Sequence, residues 1–324
     1  MLAYVARRIV QSLAVLAIMS LLVFAGVYAI GNPIDILVNP QSDQSEIARA
    51  TAALGLDRPL AEQYFVFLAR AATGDLGNSF AFNVPAIGLI LERMPATLEL
   101  ATAAMLIALA LGIPLGLWAG IAPRSVAGRM IAAGSILGFS LPTFWVGLML
   151  IMVFSVWLGW LPTSGRGPTT SIAGIPVSFL SIEGLRHLVL PAANLALFNL
   201  SLIARLTRSG AREAMQQDYV RFARAKGLSE RRVVGVHVLK NVLVPVATVA
   251  GVEFGSVIAF AVVTESIFAW PGMGKLLIDS INVLDRPVIV GYLCIVVALF
   301  VAINLAVDLL VSWLDPRVRL GAER

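Results

Sequence analysis

RLTRSGAREAMQQDYVRFARAKGLSERRVVGVHVLK, residues 205–240, sets nine Lys and Arg side chains against three carboxylates, Glu213, Asp218 and Glu230. Apolar runs flank it, His187 to Ala204 before and Asn241 to Thr264 after. A membrane-spanning helix needs about 20 largely apolar residues, so both runs read as spans and the basic segment as their connection. Cations near the ends of spans resist translocation, which places this connection on the cytoplasmic side.

Working outward, uncharged runs recur at Ile9 to Ile30, Leu100 to Ile121, Met130 to Leu158 and Pro287 to Val307. The chain of 324 residues is 59% hydrophobic and only 13% charged, about half the charged fraction of a soluble domain. The expected fold is therefore an all-α membrane protein with spans at 9–30, 97–121, 130–158, 187–205, 241–264 and 287–314. Six spans with the basic connection inside put residues 1–8 and 315–324 inside as well. That arrangement leaves 16 of the 24 Lys and Arg inside and 8 outside, as the positive-inside rule requires. Segments 31–95, 159–186 and 265–286 then lie outside. The net charge of +5 is spread over short loops between spans, which argues against a nucleic-acid partner and for contact with membrane lipid. Arg7 and Arg8 precede an apolar run of over 20 residues, too long for the roughly 7–15 of a signal peptide, so a retained first helix is expected.

Within the external segment 31–95, Pro59 suits a first helical position and Gly74 a stop. Leu60, Tyr64, Phe67, Leu68 and Ala71 recur on one face, predicting an amphipathic helix on the outer surface. No repeat is visible at a period of 20–50 residues, and the halves are not alike.

Inside the basic connection, Asp218 to Gly227 reads as a complete short helix. Asp218 would cap its start, Lys226 faces its negative end, and Gly227 supplies a left-handed stop. Two turns are marginal alone in water, so the helix must pack on something. Tyr219, Phe222 and Ala223 are expected on one face and Arg221 with Arg224 on another. Ser229 would cap a second helix that enters the membrane. The segment is either a knob for a partner's groove or a basic loop resting on lipid headgroups.

D-Y-V-R-F-A-R-A-K-G-L-S-E-R-R-V, followed by H-V-L-K-N-V-L-V-P, resembles the cytoplasmic loop of the dipeptide and oligopeptide permeases of ATP-binding cassette importers. RRIVQSLAVLAIMSLLVF, LGLDRPLAEQY, GDLGNSF, ERMPATLELA, TESIFAWPGMGKLL and WLDPRV extend the resemblance, in order, across nearly the whole chain. They are similar to the first of that family's two permease subunits. The resemblance implies a type I importer fold in a bacterial inner membrane, with a coupling helix at Tyr219 to Lys226 seated in an ATPase cleft. Asp218, Tyr219, Arg221, Phe222, Ala223, Arg224, Lys226 and Gly227 carry that role. Arg221 stands where the wider superfamily often has Glu, and Pro245 lies 18 residues beyond Gly227, both features of the peptide branch. The implied partners are a homologous second permease, two ATPase subunits holding ATP and Mg, and a periplasmic or lipid-anchored binding protein. This chain would form half of a path for di- or oligopeptides or a related small solute; nothing in it fixes which.

Catalytic chemistry is not expected in this chain. Gly272-Met273-Gly274-Lys275 superficially resembles a phosphate loop but lacks its spacing, and Leu276 stands in place of the Mg-binding hydroxyl. His187 and His237 are expected at opposite membrane faces, where they cannot share a metal, and Cys294 is alone. Polar groups within spans favour a cavity or bundle interior. Glu253, Asn194, Asn199 and Ser140 are accordingly candidate path residues, with interhelical hydrogen bonding or a kink at Ser140 to Thr143 as the alternative. Asp308 reads as a packed or interfacial carboxylate. Gly112, Gly116 and Gly120 predict close helix packing within the chain, and Gly251 with Gly255 predict the dimer interface and pore. Glu265, Phe268 and Trp270 lie near the outer interface, as an aromatic belt or, by resemblance, at an outer gate. The rivals are an ion-coupled secondary transporter using Glu253 and Asp308, and an intramembrane serine protease using Ser164.

Overall fold

The computed structural model describes residues 2–29, 44–53 and 56–314. The expected tail 315–324, with Arg317, Arg319 and Arg324, lies outside the described residues, as does 31–43. Helices run in the order α1 (Leu2–Ala29), α2 (Gln44–Ala53), α3 (Leu60–Ala72), α4 (Ala86–Ile121), α5 (Val126–Ser140), α6 (Thr143–Leu150), α7 (Ile182–Ala214), α8 (Asp218–Ala225), α9 (Glu230–Arg232), α10 (Leu239–Ile267), α11 (Met273–Asn282) and α12 (Arg286–Leu314). A π-helical stretch extends α6 through Ile151–Trp157, and another, Val233–Val238, joins α9 to α10. Strands β1 (Thr170–Ile172) and β2 (Ile175–Val177) form a small antiparallel hairpin, an addition to the all-α expectation.

Among the described residues five helices are long and apolar enough to cross a membrane, and α5 with α6, bent by 108° at their junction, is apolar enough to count as a sixth if the pair is one broken span. Successive crossings alternate in direction. Gly112 faces Ile203, Gly116 faces Thr207 and Gly120 faces Ala211, so α4 and α7 run parallel with the return through α5 and α6 between them. Gly251 meets Val307 and Gly255 meets Phe300, so α10 and α12 run antiparallel. Arg8 pairs with Asp308 at 3.2 Å, bringing the start of α1 beside the end of α12. Both stand at the end of the bundle that carries residues 205–240, the basic end. The opposite, loop end gathers residues 56–85, 159–181 and 268–285.

Several boundaries move. The second crossing begins at Ala86, not 97, and contains Pro95 and Pro114. A proline in a long membrane helix is tolerated where neighbours re-satisfy the freed carbonyl. The helix reaches back to Pro85 through Ala86 and Ile90, which are fully buried. The fourth crossing extends to Ile182–Ala214, its start capped by the Ser181 hydroxyl accepting from Gly184 N–H at 2.9 Å. Within 130–158, the expected kink is a full break. Pro142 forces Leu141 out of the helical region, to φ −80° and ψ 133°. The 265–286 segment, expected outside, holds α11 rather than a plain loop. On α3, Tyr64 and Phe67 pack at 5.3 and 5.9 Å ring separation on Phe24 of α1, while Leu60 stays exposed.

The small residues decide the packing. A Cβ on Gly120 would lie 2.7 Å from the Ala211 methyl, and one on Gly116 would lie 2.7 Å from Thr207 Cβ. Gly251 and Gly255 would meet Val307 and Phe300 at 2.5 and 2.7 Å. The helix-ten glycines therefore serve contact within the chain, correcting their expected place at a dimer interface: α12 already occupies that face. Large apolar side chains such as Ile136, Leu137 and Phe260 are exposed instead, the inversion expected where lipid or another span replaces water.

Gly116→Leu is expected to destabilise the bundle by about 1–3 kcal/mol through overpacking, read as an earlier thermal transition in detergent. Gly26→Ala, where nothing lies within 4 Å, is expected to leave the transition in place.

Candidate functional site

At the basic end, α8 follows Gln217, whose extended backbone at ψ 150° makes it the residue before the helix. Asp218 thus lies in the first turn and makes no capping hydrogen bond, contrary to expectation; it pairs with Arg221 at 3.4 Å. Ser229 likewise precedes α9 without a side-chain cap. Gly227 does adopt the left-handed conformation, at φ +76°, where a side chain would be strained.

The apolar face of α8 is divided. Val220 and Ala223 are 0% and 4% exposed and pack toward the π-helical stretch, where Val233 and Val238 are fully buried. Tyr219 and Phe222 are 39% and 62% exposed. Ala223 therefore turns inward rather than joining Tyr219 and Phe222, because the short helix needs its small residues as the anchor. Arg224 clasps Glu230 with hydrogen bonds of 2.7 and 3.1 Å. The hydrogen bond to Glu230 raises the Arg224 guanidinium above its ordinary value, with burial opposing. Lys226 Nζ lies 4.5 Å from the Phe222 ring centroid. The result is a fastened two-turn helix offering Tyr219, Phe222 and a cationic fringe to solvent.

The candidate path residues are not drawn into one cluster. Asn194 donates to the Thr264 hydroxyl at 3.0 Å, tying α7 to α10. Asn199 is buried, and Oδ1 of each asparagine has no partner among the described residues. Ser140 is exposed at the break and its hydroxyl donates to the Ile136 carbonyl. Glu253 is half-buried and lies 11 residues from Thr264, about 16 Å along α10.

At the loop end, Glu265, Phe268 and Trp270 are all buried to within 1% exposure, so they form no interfacial belt. Glu265 Oε1 accepts from the Thr97 hydroxyl at 2.6 Å and Oε2 from Lys275 N–H at 2.9 Å. Thr97 also accepts from Met273 N–H at 2.8 Å. The start of α11 is thereby satisfied by side chains of α10 and α4. Trp270 Nε1 donates to the Ala96 carbonyl at 2.9 Å. The Glu265 carboxylate fills the Gly272–Gly274 turn, leaving no place for a phosphate, and Lys275 is paired with Asp279 at 2.7 Å. His187 Nδ1 meets the Ser164 backbone carbonyl at 3.0 Å rather than its hydroxyl, which activates no nucleophile.

Two further buried carboxylates were not singled out from sequence. Glu99 accepts from Ser178 N–H, Ser178 hydroxyl and Phe179 N–H at 2.8, 2.7 and 3.0 Å, and from Arg166 Nε at 2.9 Å. Arg166 reaches on to the Pro176 carbonyl at 2.6 Å and stands 5.9 Å from the Trp270 ring centroid. Asp285 accepts from the Ser79 hydroxyl and from Phe80 and Ala81 N–H at 3.0 and 3.3 Å. Glu99 was readable: a lone carboxylate in Leu98-Glu99-Leu100 has the same cost as Glu253. Asp285, in a loop, carried no such signal.

Two family descriptions match the chain: binding-protein-dependent transport system inner membrane component over residues 112–320, and the N-terminal part of such membrane components over residues 1–101. The di/tripeptide transport system permease protein DppB of Pseudomonas aeruginosa is 41% identical, covering 98% of this chain and 99% of that protein. The dipeptide transport system permease protein DppB of Escherichia coli K12 is 37% identical with the same coverage. A putative peptide transport system permease protein of Brucella abortus is 38% identical over 98% of this chain and 99% of its own. Among solved structures, an inward-facing MetNI methionine ABC transporter superposes with a TM-score of 0.54 at 15% identity, covering 71% of this chain and 97% of that one, a likeness of fold.

Glu99→Gln is expected to leave Arg166 buried without its countercharge and to cost about 3–5 kcal/mol. Hydrogen exchange should rise over residues 166–179. Adding Arg166→Met should recover part of the loss, since the unpaired charge is then gone.

Proposed function

The chain belongs to the family of binding-protein-dependent transport system inner membrane components, and from that premise we propose how it takes its place in an importer. It is a membrane-spanning permease subunit of an ATP-driven importer. The names of its relatives support di- and tripeptides, or closely related small solutes, as the cargo class. In this reading the chain forms half of the translocation path beside a homologous second permease. Two ATPase subunits carry ATP and Mg, and an external binding protein delivers cargo. The basic end faces the cytoplasm, with both termini, a placement supported by the excess of cations there.

The observation that carries the reading is the fastening of α8. Val220, Ala223 and the Arg224–Glu230 clasp bind it to the π-helical stretch leading into α10, while Tyr219 and Phe222 project. A partner gripping that projecting face would carry the π-helical stretch at the start of α10 along with α8. Closure of the ATPase pair would thus be passed to a helix that crosses the membrane. Transport needs a difference in free energy between inward- and outward-open states; nucleotide binding and hydrolysis on the motor supply it. Glu253, half-buried with no partner among the described residues, is the residue of the four we retain on the path, while Asn194 acts as interhelical glue through Thr264. We assign Glu265, Phe268 and Trp270 to packing that supports an outer gate, a role their burial at the loop end is consistent with. The ion-coupled alternative loses one of its two carboxylates, because Asp308 is engaged by Arg8.

Deleting residues 219–227 is expected to abolish uptake and copurification of the ATPase while the chain still inserts in the membrane. Phe222→Glu should do the same with less disturbance, lowering uptake at least tenfold. Normal ATP-dependent uptake in both variants, or uptake by the isolated chain on an ion gradient, would overturn the reading.

A further inference from the structure

Arg205, Arg208 and Arg212 are spaced three and four residues apart near the end of α7, so they share one face. They climb about 10 Å along the helix axis, roughly the depth of a lipid headgroup layer. Gly120 packs against Ala211 and the Arg208 backbone, which brings the turn carrying Arg124, and Arg129 after it, to the same end. Across 122–130 and 205–214 these five arginines meet one carboxylate, Glu213. Among the described residues none of the five makes a salt bridge, whereas Arg166, Arg221 and Arg224 do. Arg208 Nε is buried without a hydrogen-bond partner, so nothing among the described residues consumes the charge of this half-buried side chain.

The surroundings say what kind of ligand. The Arg205 guanidinium lies 4.9 Å from the Phe139 ring centroid, and Phe139 stacks on Phe198 at 4.6 Å. Beyond them α5 exposes Met130, Ile136 and Leu137. A cationic stripe therefore adjoins an apolar strip. An acidic protein surface would match only the stripe, and free phosphate only the guanidinium forks. A phosphodiester headgroup joined to acyl chains matches both, and arginine is the side chain suited to phosphate oxygens.

We propose that Arg205, Arg208 and Arg212, with Arg124 and Arg129, form a binding site for one anionic phospholipid between α5 and α7, beside the helix that leads to α8. The proposal rests on the cytoplasmic placement of the basic end. A Ser209→Cys, Cys294→Ser chain checks that placement separately, through labelling by a membrane-impermeant maleimide in inverted vesicles only.

The test uses the assembled importer in nanodiscs of phosphatidylcholine with phosphatidylglycerol, followed by native mass spectrometry of the lipids retained. The wild type is expected to keep phosphatidylglycerol preferentially, and Arg208→Gln to weaken that preference about fivefold. Arg205→Lys, Arg208→Lys and Arg212→Lys together keep the charge and the topology but give up the guanidinium forks, and should weaken the preference about threefold without abolishing it. Arg70→Gln, at the loop end, should change nothing. Equal retention of both lipids by the wild type, a preference untouched by Arg208→Gln, or displacement of the lipid by inorganic phosphate alone would overturn it. So would a photo-crosslink from position 208 to another subunit in place of lipid.

Discussion

A carboxylate accepting hydrogen bonds from backbone N–H groups is the interaction on which the loop end depends. Between spans the chain must turn, and turning leaves peptide groups without helical partners where water is scarce. Glu99, Glu265 and Asp285 solve this three times with one device. Each lies on or beside a spanning helix and is buried; Glu99 and Asp285 gather backbone donors distant in sequence, from Ser178 and Phe179 and from Phe80 with Ala81, while Glu265 takes Lys275 N–H ten residues on and the Thr97 hydroxyl from α4. Burying a charge is costly unless its lone pairs are filled. Each of the three accepts at least two hydrogen bonds, and the same bonds that offset part of the desolvation fix where the loop-end segments stand.

The two ends of the bundle are built on opposite logic. At the loop end, polar side chains are turned inward and consumed by the packing. At the basic end, arginines stay outward, and the buried contacts are small and apolar: Gly116 on Thr207, Gly120 on Ala211, Val220 and Ala223 against the π-helical stretch. Glycine stripes let α4 and α7 approach closely, giving a stiff pair beside which α10 and α12 pack through Gly251 and Gly255. A load applied to α8 meets rigid helices rather than loops, which suits a part that passes on movement.

Five long crossings, the bent pair at 126–157 and the short helix at 218–225 were legible because apolar length and charge asymmetry are strong, local signals. Gly227 was readable for the same reason, since few other residues accept φ +76°. What escaped was set by tertiary contact. Phe222 and Ala223 flank Tyr219 at i+3 and i+4 on the helical wheel, and only the position of Val233 and Val238 decides which is covered. Trp270 looked like an interface aromatic until the Ala96 carbonyl gave its N–H a buried partner. Gly251 and Gly255 announced close packing but not the neighbour. The second span was expected to start at 97, yet the Ala86–Ile90 turn, buried at the loop end, extends the helix back past Pro95.

The central claim is that the exposed face of α8 meets the ATPase and its buried face does not. A photo-crosslinking amino acid placed at Phe222 or at Val220 in the assembled importer tests this most directly. The account predicts an adduct with the ATPase from position 222 and none from position 220. An ATPase that remains bound and drives uptake while position 222 yields no adduct with it would contradict the account.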